Sequence, residues 1–310
     1  MQGTGRMACS GQFMVREFLW RKYNKHKETS VLTNTASSIP LSIEIAAKTD
    51  PGLLRSLNED SIATVSNLGL LVLADGMGGY QSGDVASSLA TQVIVEGLSQ
   101  ELQGTPHNGR DVAVLVEDVV KKANKAIFQE GRQRAQRVHN SQSQAMGSTL
   151  ALLLFRNNQV TMAHVGDSRI YRLRANRLEL MTHDHSLLQE QIDLGILNSE
   201  TAATSHNRHL VTRGLGLQAE VEVALDEREV LPGDIYLVCS DGLNDMVDNT
   251  DIELVLNSLQ ANLPLAASQL VMIANDNGGD DNISVILAKV GSQTTPDAKK
   301  KGFFAWLFGR

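Results

Sequence analysis

The sequence of 310 residues predicts an α+β fold from two observations. Hydrophobic periodicity gives strands, then two long helices in succession, then strands again, whereas a doubly wound parallel sheet would alternate the two kinds of element. In addition, two apolar runs end in Asp-Gly. Leu70 to Ala74 runs into Asp75-Gly76-Met77-Gly78-Gly79, and Ile235 to Cys239 runs through Ser240 into Asp241-Gly242. Each junction sets a carboxylate where a buried strand ends. Glycine tolerates positive φ and Asp favours turns, so one junction alone reads equally well as a tight turn. Its recurrence marks a candidate site.

Residues 1–40 read as an N-terminal extension. Val15 to Lys27 mixes aromatic and basic residues in the manner of a short amphipathic helix, a polar stretch leads to Pro40, and Met7 and Met14 are alternative starting points. The globular pattern occupies 41–290. It opens with the alternating strand Ser42 to Ala46 and a Pro51-Gly52 turn, ahead of Arg55 and the paired Glu59-Asp60. This segment suits a solvated loop, or a guanidinium whose planar fork bonds two phosphate oxygens beside a cation. Ile62–Val65 and Leu68–Ala74 follow as strands joined across Ser66-Asn67. Ser82–Leu102 has helical periodicity, with Val85, Leu89, Val93 and Leu98 on one face. Gly104–Arg110 is a polar linker, and Asp111 to about Arg137 is a second helix, apolar at Val112, Leu115, Val116, Val119 and Ile127.

Gly147-Ser148-Thr149 opens a strand over Leu150–Phe155, which turns back through Arg156–Gln159 into Val160–Val165. Gly166-Asp167-Ser168-Arg169 leads into Ile170–Leu173, a turn at Ala175-Asn176, and Leu178–Met181, a succession of hairpins. The section from Thr182 to Gly216 holds a helix at Leu187–Leu194 and a polar stretch, Asn198–His209, long enough for a functional flap. Beyond Asp241-Gly242-Leu243-Asn244-Asp245 come helices at Asp251–Leu259 and Pro264–Asn275. Asn277 to Asn282 then feeds the strand Ile283–Ala288. Residues 291–310 form a tail in which Lys299, Lys300 and Lys301 precede Phe303, Phe304, Trp306, Leu307 and Phe308, in a chain only 4% aromatic. Two readings stand for it: a terminus that is disordered or folds back on the domain, or a peripheral anchor through 299–308 for an anionic membrane face or a partner's groove.

The net charge is -7, and residues 31–296 carry 18 basic against 32 acidic groups. That balance disfavours nucleic acid as a partner and suits a site for cations. Cys9 and Cys239 make neither a disulfide framework nor a Cys-x-x-Cys pair. With a polar start and no apolar run approaching ~20 residues, the expectation is a cytoplasmic monomer. Asp60, Asp75, Asp167, Asp241, Asp245 and Asp281 recur at strand ends or turns, with Asp75, Asp167 and Asp241 directly beside glycine. Each alone suits an Asx turn or helix cap. Their recurrence beside Arg55 suits an oxygen-only site, which selects hard cations such as Mg²⁺ or Mn²⁺.

Taken in order, Arg55-x-x-Asn58-Glu59-Asp60, Asp75-Gly76-x-Gly78-Gly79, Gly147-Ser148-Thr149, Gly166-Asp167-Ser168-Arg169, Asp241-Gly242-Leu243-Asn244-Asp245 and Gly279-Asp280-Asp281-Asn282 resemble the motifs of the PPM metal-dependent Ser/Thr protein phosphatases (type 2C-like). The resemblance covers roughly 41–290. Thr182-x-Asp184-His185-Ser186 and Thr212-Arg213-x-Leu215-Gly216 resemble the flap-flanking segments of the bacterial branch. The resemblance implies a central β-sandwich of two mostly antiparallel sheets flanked by helix pairs, with two Mn²⁺ or Mg²⁺ ions at one edge. It implies that Asp75 bridges both metals with the Gly76 carbonyl on one, that Asp241 and Asp281 ligate the other, and that Glu59 and Asp60 hold metal-bound waters. Arg55 would bind phosphate, and Asp167 and Asp245, with Asp241, would match a third-metal position. The implied activity is hydrolysis of phosphoserine and phosphothreonine in proteins by an activated water, opposing a bacterial Ser/Thr kinase. Cys239 is then a buried strand residue and Ser168 a turn hydroxyl, not nucleophiles. Met77 stands where many eukaryotic relatives have a His proposed as general acid; His164 reads as core, and His183 and His185 as turn residues. The competing reading is a catalytically inactive, partner-binding relative, although such proteins normally lose carboxylates that this chain keeps.

Overall fold

The computed structural model describes residues 42–78, 82–103, 111–138, 146–197 and 210–291. The readings made above for 1–40, for the linker 104–110, for 198–209 and for the tail beyond 291 lie outside the described residues.

In chain order the strands are β1 (Ile43–Asp50), β2 (Asp60–Val65), β3 (Leu70–Met77), β4 (Gly147–Ser148), β5 (Leu150–Arg156), β6 (Gln159–Val165), β7 (Arg169–Arg174), β8 (Arg177–Leu180), β9 (Ala224–Glu229), β10 (Ile235–Cys239) and β11 (Ile283–Val290). The helices are α1 (Gly83–Gln103), α2 (Val112–Val138), α3 (Leu187–Asp193), α4 (Asp241–Asn244), α5 (Asn249–Leu259) and α6 (Leu263–Asp276). One sheet has the order β1-β11-β10-β7-β8 and the other β2-β3-β5-β6-β9, with β4 paired to β3. All pairings are antiparallel.

Period-2 alternation turns these sheets into layers. In β3, Leu71 and Leu73 point between the sheets, where they meet Leu153, Val238 and Ile286. Leu70, Val72 and Ala74 point outward, onto Ile94 and Leu98 of α1 and Val116 and Val119 of α2. On the other sheet Val285 and Leu287 face Leu256 of α5 and Leu270 of α6. The result is the α+β sandwich with helix pairs outside, stabilised by roughly 1.5–3 kcal/mol for each large apolar side chain fully buried. Among the described residues no helix is long and apolar enough to cross a membrane.

Local chemistry sets the boundaries. Asn157 and Asn158 (φ 48° and 63°) and Ala175 and Asn176 (φ 50° and 62°) supply the paired left-handed residues of two-residue hairpins. Ser186, Asp248 and Asn262 cap α3, α5 and α6 by accepting from Gln189 N, Asp251 N and Leu265 N. Some sequence expectations shift. Leu68 belongs to a 3₁₀ turn, Ser66–Leu68, closed by Gly69 at φ 66°, so β3 begins at Leu70. It also runs past Asp75 to Met77, because Gly76 and Met77 pair with β4. The first strand continues to Asp50, and β9 is an unforeseen strand. A helix, α4, starts directly at Asp241.

Candidate metal centre

Asp60 opens β2 and lies directly opposite Asp75 in the antiparallel register with β3. Like charges opposed in this way repel unless a proton or cation intervenes. The second sheet delivers its own acids to the same edge. Asp241 begins α4 at the end of β10, Asp245 caps that helix, and Asp281 lies two residues before β11. Asp167 sits in the turn between β6 and β7. A cleft of about 590 Å³ brings together Arg55, Glu59, Asp75, Gly76, Asp167, Asp241, Asp245 and Asp281. Asp60 is set behind that wall: Ser240 Oγ donates to its Oδ2 at 2.9 Å, while its Oδ1 is buried with no hydrogen-bond partner.

Supporting hydrogen bonds fix the backbone around the cleft. Asp75 N donates to Thr149 Oγ1 (3.0 Å), Thr149 N donates to Asp75 O (2.8 Å), and Thr149 Oγ1 shares a 2.7 Å bond with Ser168 Oγ. Asn282 uses its whole amide. Its Oδ1 accepts from Glu59 N at 2.7 Å, and its Nδ2 donates to Pro51 O and Leu57 O, each at 2.9 Å. Leu53 N and Leu54 N donate to Gly279 O at 2.8 and 3.3 Å, so the loop carrying Arg55 is moored at both ends. Arg55 Nη2 then meets Asp281 Oδ2 at 2.7 Å in a partly exposed ion pair. The phosphate-binding and metal-binding candidates therefore hold each other. In the sequence Asn282 is a motif letter without a role, and its only local signal is its place before the β11 run.

The electrostatics are dominated by desolvated carboxylates. Burial pushes Asp60 up to about 7, with Asp241 and Asp281 adding to the rise and the nearby Ser284 and Ser240 hydroxyls opposing it. Asp167 is pushed up to about 8 by burial and by Asp241, Asp184 and Asp245. Burial, then Asp60, Asp241, Asp167 and Asp281, hold Asp75 well above the usual carboxylate range. Glu59 is raised by burial and by Asp84. A bound cation inverts this balance, because it favours the ionised form that burial opposes. The oxygen-only donor set and the orphaned buried Oδ1 of Asp60 fit hard divalent cations. Among the described residues no three His, Cys, Asp or Glu side chains already converge as a preformed cage; Asp60 turns to Ser240 and Asp281 to Arg55 instead.

The remaining candidates take structural places. Cys239 is buried, its thiol pushed up to about 12 by desolvation, which leaves it inert. Ser168 is buried under its bond to Thr149. His164 and His185 stack with ring centroids 4.7 Å apart. Burial drives His185 down to about 4, and Gly166 N donates to its Nδ1 at 3.1 Å. Arg169 Nε and Nη2 donate to Asp184 Oδ2 at 3.0 and 2.7 Å, so the segment 182–186 is pinned against the turn that bears Asp167. Met77 lines the cleft itself.

Residues 55–271 match the protein phosphatase 2C family. The Ser/Thr protein phosphatase PstP of Mycobacterium tuberculosis is 37% identical over 253 residues, which are 81% of this chain and 46% of PstP; this chain thus spans about half the length of that relative. The Ser/Thr phosphatase Stp of Listeria monocytogenes is 32% identical over 245 residues, 78% of this chain and 94% of the relative. A crystal structure of the PstP catalytic domain in complex with two manganese ions superposes with a TM-score of 0.68 at 36% identity, covering 81% of this chain and 100% of that one.

Proposed function

The chain belongs to the protein phosphatase 2C family, and from that membership and its cleft we propose that it is a divalent-metal-dependent phosphatase acting on phosphoserine and phosphothreonine in proteins. The observation that carries the reading is the Asp60–Asp75 pair facing across β2 and β3, Asp75 on the cleft wall and Asp60 behind it, with Asp241 repelling both and Asp167 repelling Asp75. Fold stability alone gives no reason to bring these repelling acids together at one sheet edge. The names of the Mycobacterium and Listeria relatives support the activity, and the manganese complex of PstP supports the metal.

Asp75, the Gly76 carbonyl, Asp241 and Asp281 would hold two Mn²⁺ or Mg²⁺ ions. Glu59 and Asp60 would hold water around them, and Asp167 and Asp245, with Asp241, offer a third position. Bound divalent cations supply a water acidic enough to attack phosphorus near neutral pH and positive charge against the phosphoryl oxygens. Arg55, released from Asp281, would grip two of those oxygens. Its moored loop keeps the guanidinium at the rim, so little ordering is needed when substrate arrives. Met77 has no proton to give, so the departing Ser or Thr alkoxide takes its proton from water. Phosphorylated proteins are the expected partners, with the enzyme opposing a Ser/Thr kinase.

The test is hydrolysis of a phosphothreonine peptide and of p-nitrophenyl phosphate by the purified chain. Turnover should require added Mn²⁺ or Mg²⁺ and be abolished by Asp75→Ala or Asp241→Ala. Full activity in excess EDTA would sink the metal mechanism, and Mn²⁺ binding without any turnover would favour the inactive, partner-binding reading.

A further inference from the structure

Helix α2 carries a second concave feature, apart from the metal cleft. Lys121, Lys125, Phe128 and Arg132 recur at helical spacing on one face. With Glu220 and Val221 of the facing segment they line a groove of about 700 Å³. The floor is locked. The buried Asn124 accepts from Gly216 N at 2.7 Å and donates to Gln218 O and Ala219 O at 3.1 and 3.2 Å. Gly216, at φ +79°, lies so close that an added Cβ would fall 2.2 Å from Ile127 Cγ2. The walls are therefore fixed before any ligand arrives, which lowers the ordering cost of binding.

The chemistry of this groove is the reverse of its surroundings. Lys121 is engaged with Glu117 at 2.6 Å, whereas Arg132 lies over the Phe128 ring at 5.9 Å and Lys125 is exposed. Beyond the Lys121–Glu117 pair, Lys125 and Arg132 face one groove carboxylate, Glu220, on a body with 18 basic and 32 acidic residues between 31 and 296. A polyanion as long as a nucleic acid would meet that acidic body, but a short acidic segment would meet only the basic stripe. Phe128, Ala219 and Val221 add apolar surface between the charges. We propose that this groove docks an extended Asp/Glu-rich peptide segment carrying interspersed apolar side chains. Docking needs no turnover, so the proposal does not rest on the phosphatase reading. It does tie a partner to the cleft: the facing segment continues from Leu215, which exchanges hydrogen bonds of 3.0 and 2.7 Å with Ser148, and Ser148 pairs with Gly76. A segment held here raises the effective concentration of whatever it is attached to.

The experiment uses the full chain and a fluorescent, unphosphorylated peptide of alternating Glu and Leu or Ala, followed by anisotropy in EDTA and again with Mn²⁺. The wild type should bind in both, with affinity falling as salt rises. The double variant Lys125→Glu/Arg132→Glu should bind about tenfold or more weakly, while its p-nitrophenyl phosphate turnover stays unchanged. Lys122→Glu, one position off the stripe, makes the same kind of charge change and should leave peptide binding intact. Absence of binding, an equal loss in Lys122→Glu, or tighter binding of a DNA oligonucleotide than of the peptide would each overturn the proposal.

Discussion

Arg55 and Asp281 neutralise one another at 2.7 Å across a partly exposed pair, and such pairs contribute about 0–1 kcal/mol. Breaking it to seat a cation on Asp281 and a phosphate on Arg55 therefore costs little. Arg55→Ala should raise KM for a phosphopeptide about tenfold with a smaller effect on kcat, as expected for a group that grips phosphate in ground and transition states alike. Calorimetry should find Mn²⁺ affinity unchanged or at most about fivefold tighter; lost Mn²⁺ binding would mean that Arg55 organises the metal site rather than the substrate. Asn282 works differently. Replacing it with Ala leaves Glu59 N, Pro51 O and Leu57 O without their partner, at about 1–3 kcal/mol for each group that stays buried, and should lower both the melting temperature and Mn²⁺ affinity. Asp75, Asp167 and Asp241 were legible in the sequence because Asp beside Gly at a strand end or turn is a local pattern. Asn282 was not: its partner Glu59 lies 223 residues away, and only the folded chain brings them together.

The plainest strand signals in the sequence come from strands buried on both faces, such as β3 and β10, whose apolar runs exceed anything a loop would carry, while the half-exposed β1 and β8 were legible from alternation and turn residues. By contrast β9, Ala-Leu-Asp-Glu-Arg-Glu, is an edge strand beside β6 with exposed charges along its second half. Charged edges protect a sheet from further pairing and leave no apolar signal to read. The Asp-Gly junctions also concealed an element-scale contact. An added Cβ on Gly76 would fall 2.1 Å from Gly83 O and 2.6 Å from Glu59 O, both rigid backbone. The end of β3 and the first turn of α1 thus meet backbone to backbone, and the Asp75-Gly76 corner is set by that meeting. Gly76→Ala should cost about 1–3 kcal/mol or more through overpacking and weaken Mn²⁺ binding as the corner shifts, measured by urea denaturation and calorimetry. Wild-type stability and metal affinity in this variant would show that the corner has slack which the contact distances deny.

At the scale of the molecule, the sandwich gathers acids from both sheets at one edge, and that placement links its stability to pH and to metal. Asp60 and Asp167, raised to about 7 and about 8, and Asp75, held well above the usual carboxylate range, bind protons more tightly folded than unfolded. The metal-free fold therefore holds more protons than the unfolded chain in the interval above the ordinary carboxylate pKa, and its stability falls as pH rises through the folded values. His185, pushed down to about 4, acts with the opposite sign, but only below its unfolded pKa of about 6.5. The slope above that point belongs to the carboxylates. In EDTA the melting temperature should accordingly fall between about pH 6.5 and 8.5, and the increase produced by Mn²⁺ should grow over the same interval, because cation binding expels the protons that burial retains. Both measurements come from one thermal-shift series. A melting temperature that stays flat or rises with pH in EDTA would show that solvent, rather than a cation, already relieves the charge at this edge.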